Sequence, residues 1–314
     1  MRLALFGECM LELSGPPFGA VQQGFGGDTL NTAIYLARCA PANELKVSYA
    51  TALGVDPLSD GLVERWEAEG IDNSLVRRLP GRLPGLYQIT VDTHGERSFS
   101  YWRDSSAAKA YFETGETPLE ENAGHYDAFY FSGISLAILP PAGRDRLFAL
   151  LSRFRSAGAA VIFDNNYRAR LWSDPCEARA NFDRAFSLAS TALITADDHQ
   201  ALYGAATLED AVRGVKRMNI DEAVIKRGAA STLIREHASH CWIEIPTEKV
   251  ERVVDTTAAG DSFAAGYLSR RLLGASATDS AAFGSRLAAR VIQHQGALIP
   301  REVMDDLAVA TENR

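Results

Sequence analysis

The chain has 314 residues, with 40 acidic and 32 basic side chains and a formal net charge of −8. With 46% hydrophobic and 23% charged residues it can bury a sizeable core, which excludes a disordered chain and a small disulfide scaffold. The acidic excess argues against a nucleic-acid partner, since phosphate backbones are held by fields of lysine and arginine. An anionic small molecule is still compatible, provided that a few cations are placed locally.

The apolar run at residues 3–6 stops at Gly7-Glu8. It is too short for the apolar centre of a signal peptide and predicts a first strand. No stretch approaches the roughly 18 apolar residues of a membrane span. Cys9, Cys39, Cys176 and Cys241 form no C-x-x-C pair, which suits a reducing compartment and argues against a thiolate zinc site. A cytoplasmic enzyme or binding protein is expected, with no membrane partner.

In chain order, short apolar runs at 3–6, 129–131, 160–163, 192–194 and 223–225 suit strands buried on both faces. Helix patterns lie among them. Leu30, Ala33, Ile34 and Ala37 keep helical spacing, as do Leu147, Leu150, Leu151 and Phe154 between Pro140-Pro141 and Gly158. Ala264, Leu268 and Leu272 follow, ending at Gly274. This alternation predicts a doubly wound α/β fold with a mostly parallel sheet and helices on both faces.

One region breaks the rhythm. Residues 86–92 alternate, with Tyr87, Ile89 and Val91 on one side. A turn at 93–96 leads to SFSYWR, with Phe99, Tyr101 and Arg103 on one side. This predicts an antiparallel hairpin. The Gly- and Pro-rich stretch 11–25 can add further short strands. The expected organisation is one domain, 1–314, carrying a small discontinuous β lid from approximately 11–25 and 84–112.

The predicted strands end in polar residues: Glu8, Ser132, Asp164-Asn165-Asn166, Thr195 with Asp197, and Lys226-Arg227. In open parallel sheets, ligands bind outside the carboxyl ends of strands. Four local motifs sharpen this. In DTTAAGD, residues 255–261, small Ala258, Ala259 and Gly260 open a helix whose N–H groups favour an anion, and Asp261 can accept a proton. A plain turn with an acidic cap would look the same. In GFGGDTLNTA, residues 24–33, Asp28 and Asn31 share a helix face and can bridge hydroxyls, or simply cap the helix. VIKRGAAST, residues 224–232, closes a strand with a basic pair that borders a nucleotide or only water. FDNNYRARLW, residues 163–172, offers Arg168 and Arg170 to phosphate or carboxylate, unless both are surface arginines.

Several classes are excluded. No G-x-x-x-x-G-K-[ST], protein-kinase set, H-E-x-x-H or G-x-S-x-G occurs, and G-x-G lacks the third glycine of a dinucleotide site. The six histidines read as structural or exposed.

The pair GGDTLN and DTTAAGD, with GECMLEL, LPGLYQI, YWR, SGISLAIL, FDNNYRARLW and VIKRGA, closely resembles the ribokinase-like (PfkB-type) carbohydrate kinases. The match is closest to the 2-keto-3-deoxygluconate kinases. The resemblance covers nearly the whole chain. It implies transfer of the ATP γ-phosphate to the 6-hydroxyl of 2-keto-3-deoxy-D-gluconate. A fructokinase, a 2-keto-3-deoxygalactonate kinase and a silent sugar-acid sensor are the alternatives. It implies Asp261 as catalytic base and Ala258, Ala259 and Gly260 as the anion hole. Gly27, Asp28 and Asn31 would hold sugar hydroxyls, and Tyr87, Tyr101 and Arg103 would project from the lid. Arg168 would reach the substrate carboxylate or the phosphates, with Asn166 nearby. Lys226, Gly228 and Ser231 would border the nucleotide, and Mg2+ would accompany ATP. An acid substrate also has a physical argument: a desolvated carboxylate needs a charged or strongly donating partner, and Arg103 beside Tyr101 suits that task. The family's Asn-x-x-Glu pattern is replaced by Thr195 and Asp198, so metal ligands are unassigned. The sequence leaves open whether a monovalent cation such as K+ assists near Asp255 and Thr257. A homo-oligomer is expected, with the apolar side of the hairpin as its contact.

Overall fold

The computed structural model describes residues 1–91, 97–236 and 241–309. The expected turn at 93–96 and His94, His237 and His240 lie outside them. Among the described residues, thirteen strands form two sheets. The large sheet holds β1 (Arg2–Phe6), β4 (Lys46–Leu53), β5 (Val76–Arg78), β8 (Ala128–Ser132), β9 (Ala160–Asp164), β10 (Thr191–Thr195), β11 (Glu222–Lys226), β12 (Thr232–Arg235) and β13 (Ile243–Ile245). Its order is β13-β12-β11-β10-β9-β8-β1-β4-β5. The pairs from β5 to β11 are parallel, and β12 and β13 add an antiparallel edge. β4 was missed by the pattern of apolar runs, because Ser48 and Thr51 interrupt it. Both are nevertheless buried.

Side-chain alternation in the strands builds two cores, one on each face. Ala4, Phe6, Phe129, Phe131, Val161 and Phe163 pack against Leu147, Leu150, Leu151 and Phe154 of the Pro141–Ser156 helix and Phe182 of the Pro175–Leu188 helix. On the other face Leu3, Leu5, Tyr130, Ile162 and Leu193 meet Leu30 and Ile34 of the Asp28–Cys39 helix. Phe263 and Tyr267 of the Ala259–Arg271 helix, and Leu287 of the Ala277–Val291 helix, complete that side. Helices on both faces of a mostly parallel sheet make the doubly wound α/β arrangement. Among the described residues, no helix is long and apolar enough to cross a membrane.

The small sheet comprises β2 (Met10–Ser14), β3 (Gln22–Gly26), β6 (Gly85–Val91) and β7 (Arg97–Trp102), in the order β3-β2-β6-β7. β6 and β7 pair antiparallel, with Tyr87 opposite Tyr101. β2 joins β6 in parallel and β3 antiparallel. Only Gly7, Glu8 and Cys9 separate β1 from β2, so the small sheet rises directly from the carboxyl edge of the large one.

Candidate active site

Parallel pairing puts the carboxyl ends of β1, β8, β9, β10 and β11 on one edge of the sheet. A cavity of about 1190 Å³ opens there, between that edge and the small sheet. It is large enough for a nucleotide and a small sugar together. The residues given site roles by the family resemblance line it: Gly27, Asp28, Asn31, Tyr87, Tyr101, Arg103, Asn166, Arg168, Lys226, Gly228, Ser231 and Ala258–Asp261; Ser132, Asn165 and Asp197 of the strand ends do not.

The Ala259–Arg271 helix points its N-terminus at this cavity. Ala258 precedes it with a left-handed φ of 59°, a strained conformation for a residue with a side chain. The Ala259 N–H bonds the Thr256 carbonyl, and the Ser262 N–H bonds the Ala258 carbonyl. Between them, the Gly260 and Asp261 N–H groups are orphans of the first turn, and the helix dipole adds to their pull on an anion. The preceding loop is anchored. Asp255 Oδ1 accepts from the Thr257 N–H at 3.0 Å and its hydroxyl at 2.7 Å, while Oδ2 accepts from the Gly296 N–H at 2.7 Å.

Asp261 stands in the first helical turn. Asn31 Nδ2 donates to its Oδ2 at 2.9 Å. Burial, with the nearby Asp28 charge adding to it, pushes the Asp261 carboxyl up to about 7. Asn31 and Lys226 act in the opposite direction. A carboxylate poised near neutrality can take a proton from a hydroxyl. Asp28 is raised by burial as well, against hydrogen bonds from Ser132 and Asn166.

Gly27 precedes the Asp28–Cys39 helix, and the reason for glycine is proximity. A Cβ there would lie 2.1 Å from the Glu8 carbonyl oxygen. The glycine lets the start of this helix press against the end of β1, which brings Asn31 to Asp261.

The cations are placed differently from what their sequence motifs suggest. Arg103 is not a free charge: it is buried in the cavity wall and ion-paired with buried Glu8. Arg168 pairs with Asp198 at 3.2 Å. Lys226 donates to Asp164 at 2.8 Å, deep in the wall. A Cβ added to Gly260 would lie 3.6 Å from its Nζ, so the ammonium also borders the helix N-terminus. Asn166, expected beside the nucleotide, donates to Asp28 at 2.7 Å. Ser231 is bonded to Arg227 and Glu244.

The small sheet contributes an aromatic wall. Tyr87 stacks on Tyr101 at 5.9 Å and Phe99 on Tyr101 at 6.3 Å, and all three rings line the cavity. The Tyr87 hydroxyl donates to Glu12. Glu8 and Asp164, which the sequence marks only as polar strand ends, also line the cavity, and Glu12 is reached through Tyr87. The signal for Glu8 and Asp164 is position, at or just after strands that end on this edge, whereas Glu12 lies inside β2 and carries no such signal.

Among the described residues, no group of three or more His, Cys, Asp or Glu could hold a metal by itself. The wall does present Asp198 and Asp164, and Asp164 Oδ1 has no hydrogen-bond partner. Two carboxylates plus substrate phosphates and water are a usual magnesium environment, so the residues present fit that ion.

The sequence profile of the pfkB family carbohydrate kinases matches residues 2–304. The chain is 46% identical to the 2-dehydro-3-deoxygluconokinase of Escherichia coli strain K12, over 96% of this chain and 98% of that protein. It is 44% identical to the 2-dehydro-3-deoxygluconokinase of Dickeya dadantii, with the same coverage. Among solved structures, a PfkB protein of Polaromonas superposes with a TM-score of 0.82 at 26% identity, covering 98% of this chain and 99% of that one.

Proposed function

Because this chain belongs to the pfkB family of carbohydrate kinases, we propose that it transfers the ATP γ-phosphate to the 6-hydroxyl of 2-dehydro-3-deoxygluconate (2-keto-3-deoxygluconate). The observation that carries the chemistry is Asp261, a half-buried carboxylate raised to about 7, at the mouth of a helix N-terminus. The near-full-length likeness to the two 2-dehydro-3-deoxygluconokinases supports the substrate.

The proposed reaction uses the chain's groups in order. Tyr87 and Tyr101 form a wall against which the sugar lies, and Gly27, Asp28 and Asn31 meet its hydroxyls. Asp261 takes the proton from the attacking hydroxyl as the new oxygen–phosphorus bond forms. The bond between the γ-phosphorus and the β–γ bridging oxygen breaks, and ADP leaves. The Gly260 and Asp261 N–H groups receive the charge that builds on the transferring phosphoryl oxygens. Ala258 and Ala259 keep that approach open, because neither carries a side chain beyond Cβ. The Lys226 ammonium stands next to the same place. Arg168 faces the phosphates, and Gly228 and Ser231 border the nucleotide. Magnesium, when bound with ATP, neutralises phosphate charge, and Asp198 and Asp164 are the residues that would hold it. Arg103 offers N–H donors to the substrate from a pair whose charge Glu8 already balances. The small sheet covers the site and excludes water that would otherwise hydrolyse ATP.

The enzyme works in the cytoplasm, where ATP is at hand. A monovalent cation such as K+ acts through the anchored 255–257 loop, and turnover in potassium against choline salts tests this. The chain self-associates through the outer side of the small sheet, where Trp102 is exposed. Light scattering of the purified protein tests that point.

The decisive experiment is an ADP-release assay over a panel of sugars and sugar acids. The reading expects 2-dehydro-3-deoxygluconate to give the highest kcat/KM. Preference for fructose or for the galactonate epimer would replace the substrate, and binding without ADP release would replace the activity.

A further inference from the structure

Among the described residues, six cationic side chains line the cavity: Arg103, Arg168, Arg170, Lys226, Arg227 and Lys249. Four are balanced by carboxylates, in the pairs Arg103–Glu8, Arg168–Asp198, Lys226–Asp164 and Arg227–Glu244. Arg170 and Lys249 have no carboxylate partner among the described residues. They belong to different ends. Lys249 sits next to Glu248, whose N–H bonds Ser285 of the Ala277–Val291 helix. Arg170 lies in the short turn after β9 and reaches the small sheet, its guanidinium 4.0 Å from the centre of the Tyr101 ring.

A balanced ion pair attracts an incoming anion weakly, because its own carboxylate repels what its cation draws in. An unbalanced cation does not have this defect. Stacking on an aromatic face also fixes the guanidinium plane and leaves its N–H edge free for a planar, two-oxygen acceptor. The ring that holds Arg170 is itself part of the aromatic wall formed with Tyr87 and Phe99.

We propose that Arg170 is a specificity-determining residue: it supplies the net positive charge that receives the carboxylate of a sugar acid at the small-sheet end of the cavity. This rests on the reading of the chain as a sugar-acid kinase. It reassigns the charge of that recognition from Arg103, which Glu8 neutralises, to a residue anchored on the large sheet's side of the cavity. Because Arg170 touches Tyr101, the same residue links the carboxylate to the sheet that covers the site.

The test is steady-state kinetics of wild-type, Arg170→Gln and Arg170→Lys enzyme with 2-dehydro-3-deoxygluconate and ATP, at low and high KCl. For Arg170→Gln, loss of a charge-assisted contact is expected to raise the sugar-acid KM about tenfold or more, with the ATP KM and kcat held within about twofold. Arg170→Lys is expected to recover only part of the affinity, since an ammonium keeps the charge but neither the two-pronged fork nor the stack on Tyr101. The sugar-acid KM of the wild type should rise with salt more steeply than that of Arg170→Gln. A sugar-acid KM unchanged in Arg170→Gln overturns the proposal, as does a parallel rise in the ATP KM, which would place Arg170 on the phosphates. If the wild type turns over no sugar acid, this inference and the proposed function fall together. If the wild type does and Arg170→Gln matches it, only this inference falls.

Discussion

Asn31 and Asp261 are 230 residues apart, yet the Asn31 amide donates to the Asp261 carboxylate at 2.9 Å. The bond joins the first turns of two helices, one from each sequence motif. It fixes the rotamer of a carboxylate that the surrounding protein pushes toward neutrality. Asn31 Oδ1 has no partner and is buried, so this amide still has an acceptor to offer.

The first consequence concerns Asp261→Asn. An amide keeps the shape and can still accept the Asn31 hydrogen bond, but it cannot take a proton. The expected loss in kcat is on the order of 10²- to 10⁴-fold, with the circular dichroism spectrum unchanged. ADP release under saturating substrates measures it. Near-normal turnover would remove Asp261 from the role of base.

A pH prediction follows from the same residue. With the carboxyl raised from 3.8 to about 7, the free enzyme loses its base as pH falls through that value. kcat/KM is expected to decline below about pH 7 with unit slope. Stability has the opposite trend. Between pH 3.8 and about 7 the folded state holds a proton at Asp261 that the unfolded chain has released, so this group's contribution falls as pH rises through that window. Above it the penalty is constant. Asp261→Asn should therefore be more stable than wild type at pH 8, on the order of 1–3 kcal/mol. Urea unfolding at pH 8 and pH 5 checks it, and an equal difference at both would contradict it.

Arg103→Ala leaves Glu8 buried without a counter-charge. Removing one partner of a buried ion pair typically destabilises by about 3–5 kcal/mol. Adding Glu8→Gln to that variant should recover part of the loss, as thermal unfolding of the single and double variants will read. If Arg103 also donates to the substrate, the sugar-acid KM should rise in both variants. Unchanged kinetics would confine Arg103 to the wall.

Gly27→Ala tests proximity. The added methyl would lie 2.1 Å from the Glu8 carbonyl, a backbone atom that cannot swing aside. The expected cost is about 1–3 kcal/mol of stability, with kcat falling as Asn31 and Asp261 separate. Tm and turnover should drop together. An unaltered Tm would show that the helix start can shift without harm.

Much of this was readable from local pattern. The five apolar runs became β1, β8, β9, β10 and β11, and the polar residue after each pointed to the edge where the cavity lies. β4 was hidden because Ser48, Tyr49, Ala50 and Thr51 are buried without forming an apolar run. The partners of the cations were hidden for a different reason. Glu8 and Arg103 are 95 residues apart, and Lys226 and Asp164 are 62 apart. No periodicity connects such pairs, since only the sheet order brings them together. Asn166 was read with its own motif, but its φ of 21° accompanies a bond to Asp28 of the other motif, 138 residues away.

The small sheet has one further consequence, for how the molecule comes together. Its β2 and β6 pair in parallel, Met10 against Gly85, so closing that ladder encloses more than seventy residues. Those residues include the Asp28–Cys39 helix and β4, which belong to the large sheet. The large sheet closes a longer span still, Leu3 to Ala128, but its strands lie between two cores, whereas the small sheet leaves Phe99 and Trp102 exposed. The ladder should therefore form after the large sheet, and open before it. Hydrogen exchange at Leu86 and Gln88 would then be faster than at Tyr130 or Ile162, and a sugar bound against Tyr87 and Tyr101 would slow it. The sheet proposed to cover the sugar would thus be the part that a bound sugar helps to hold shut.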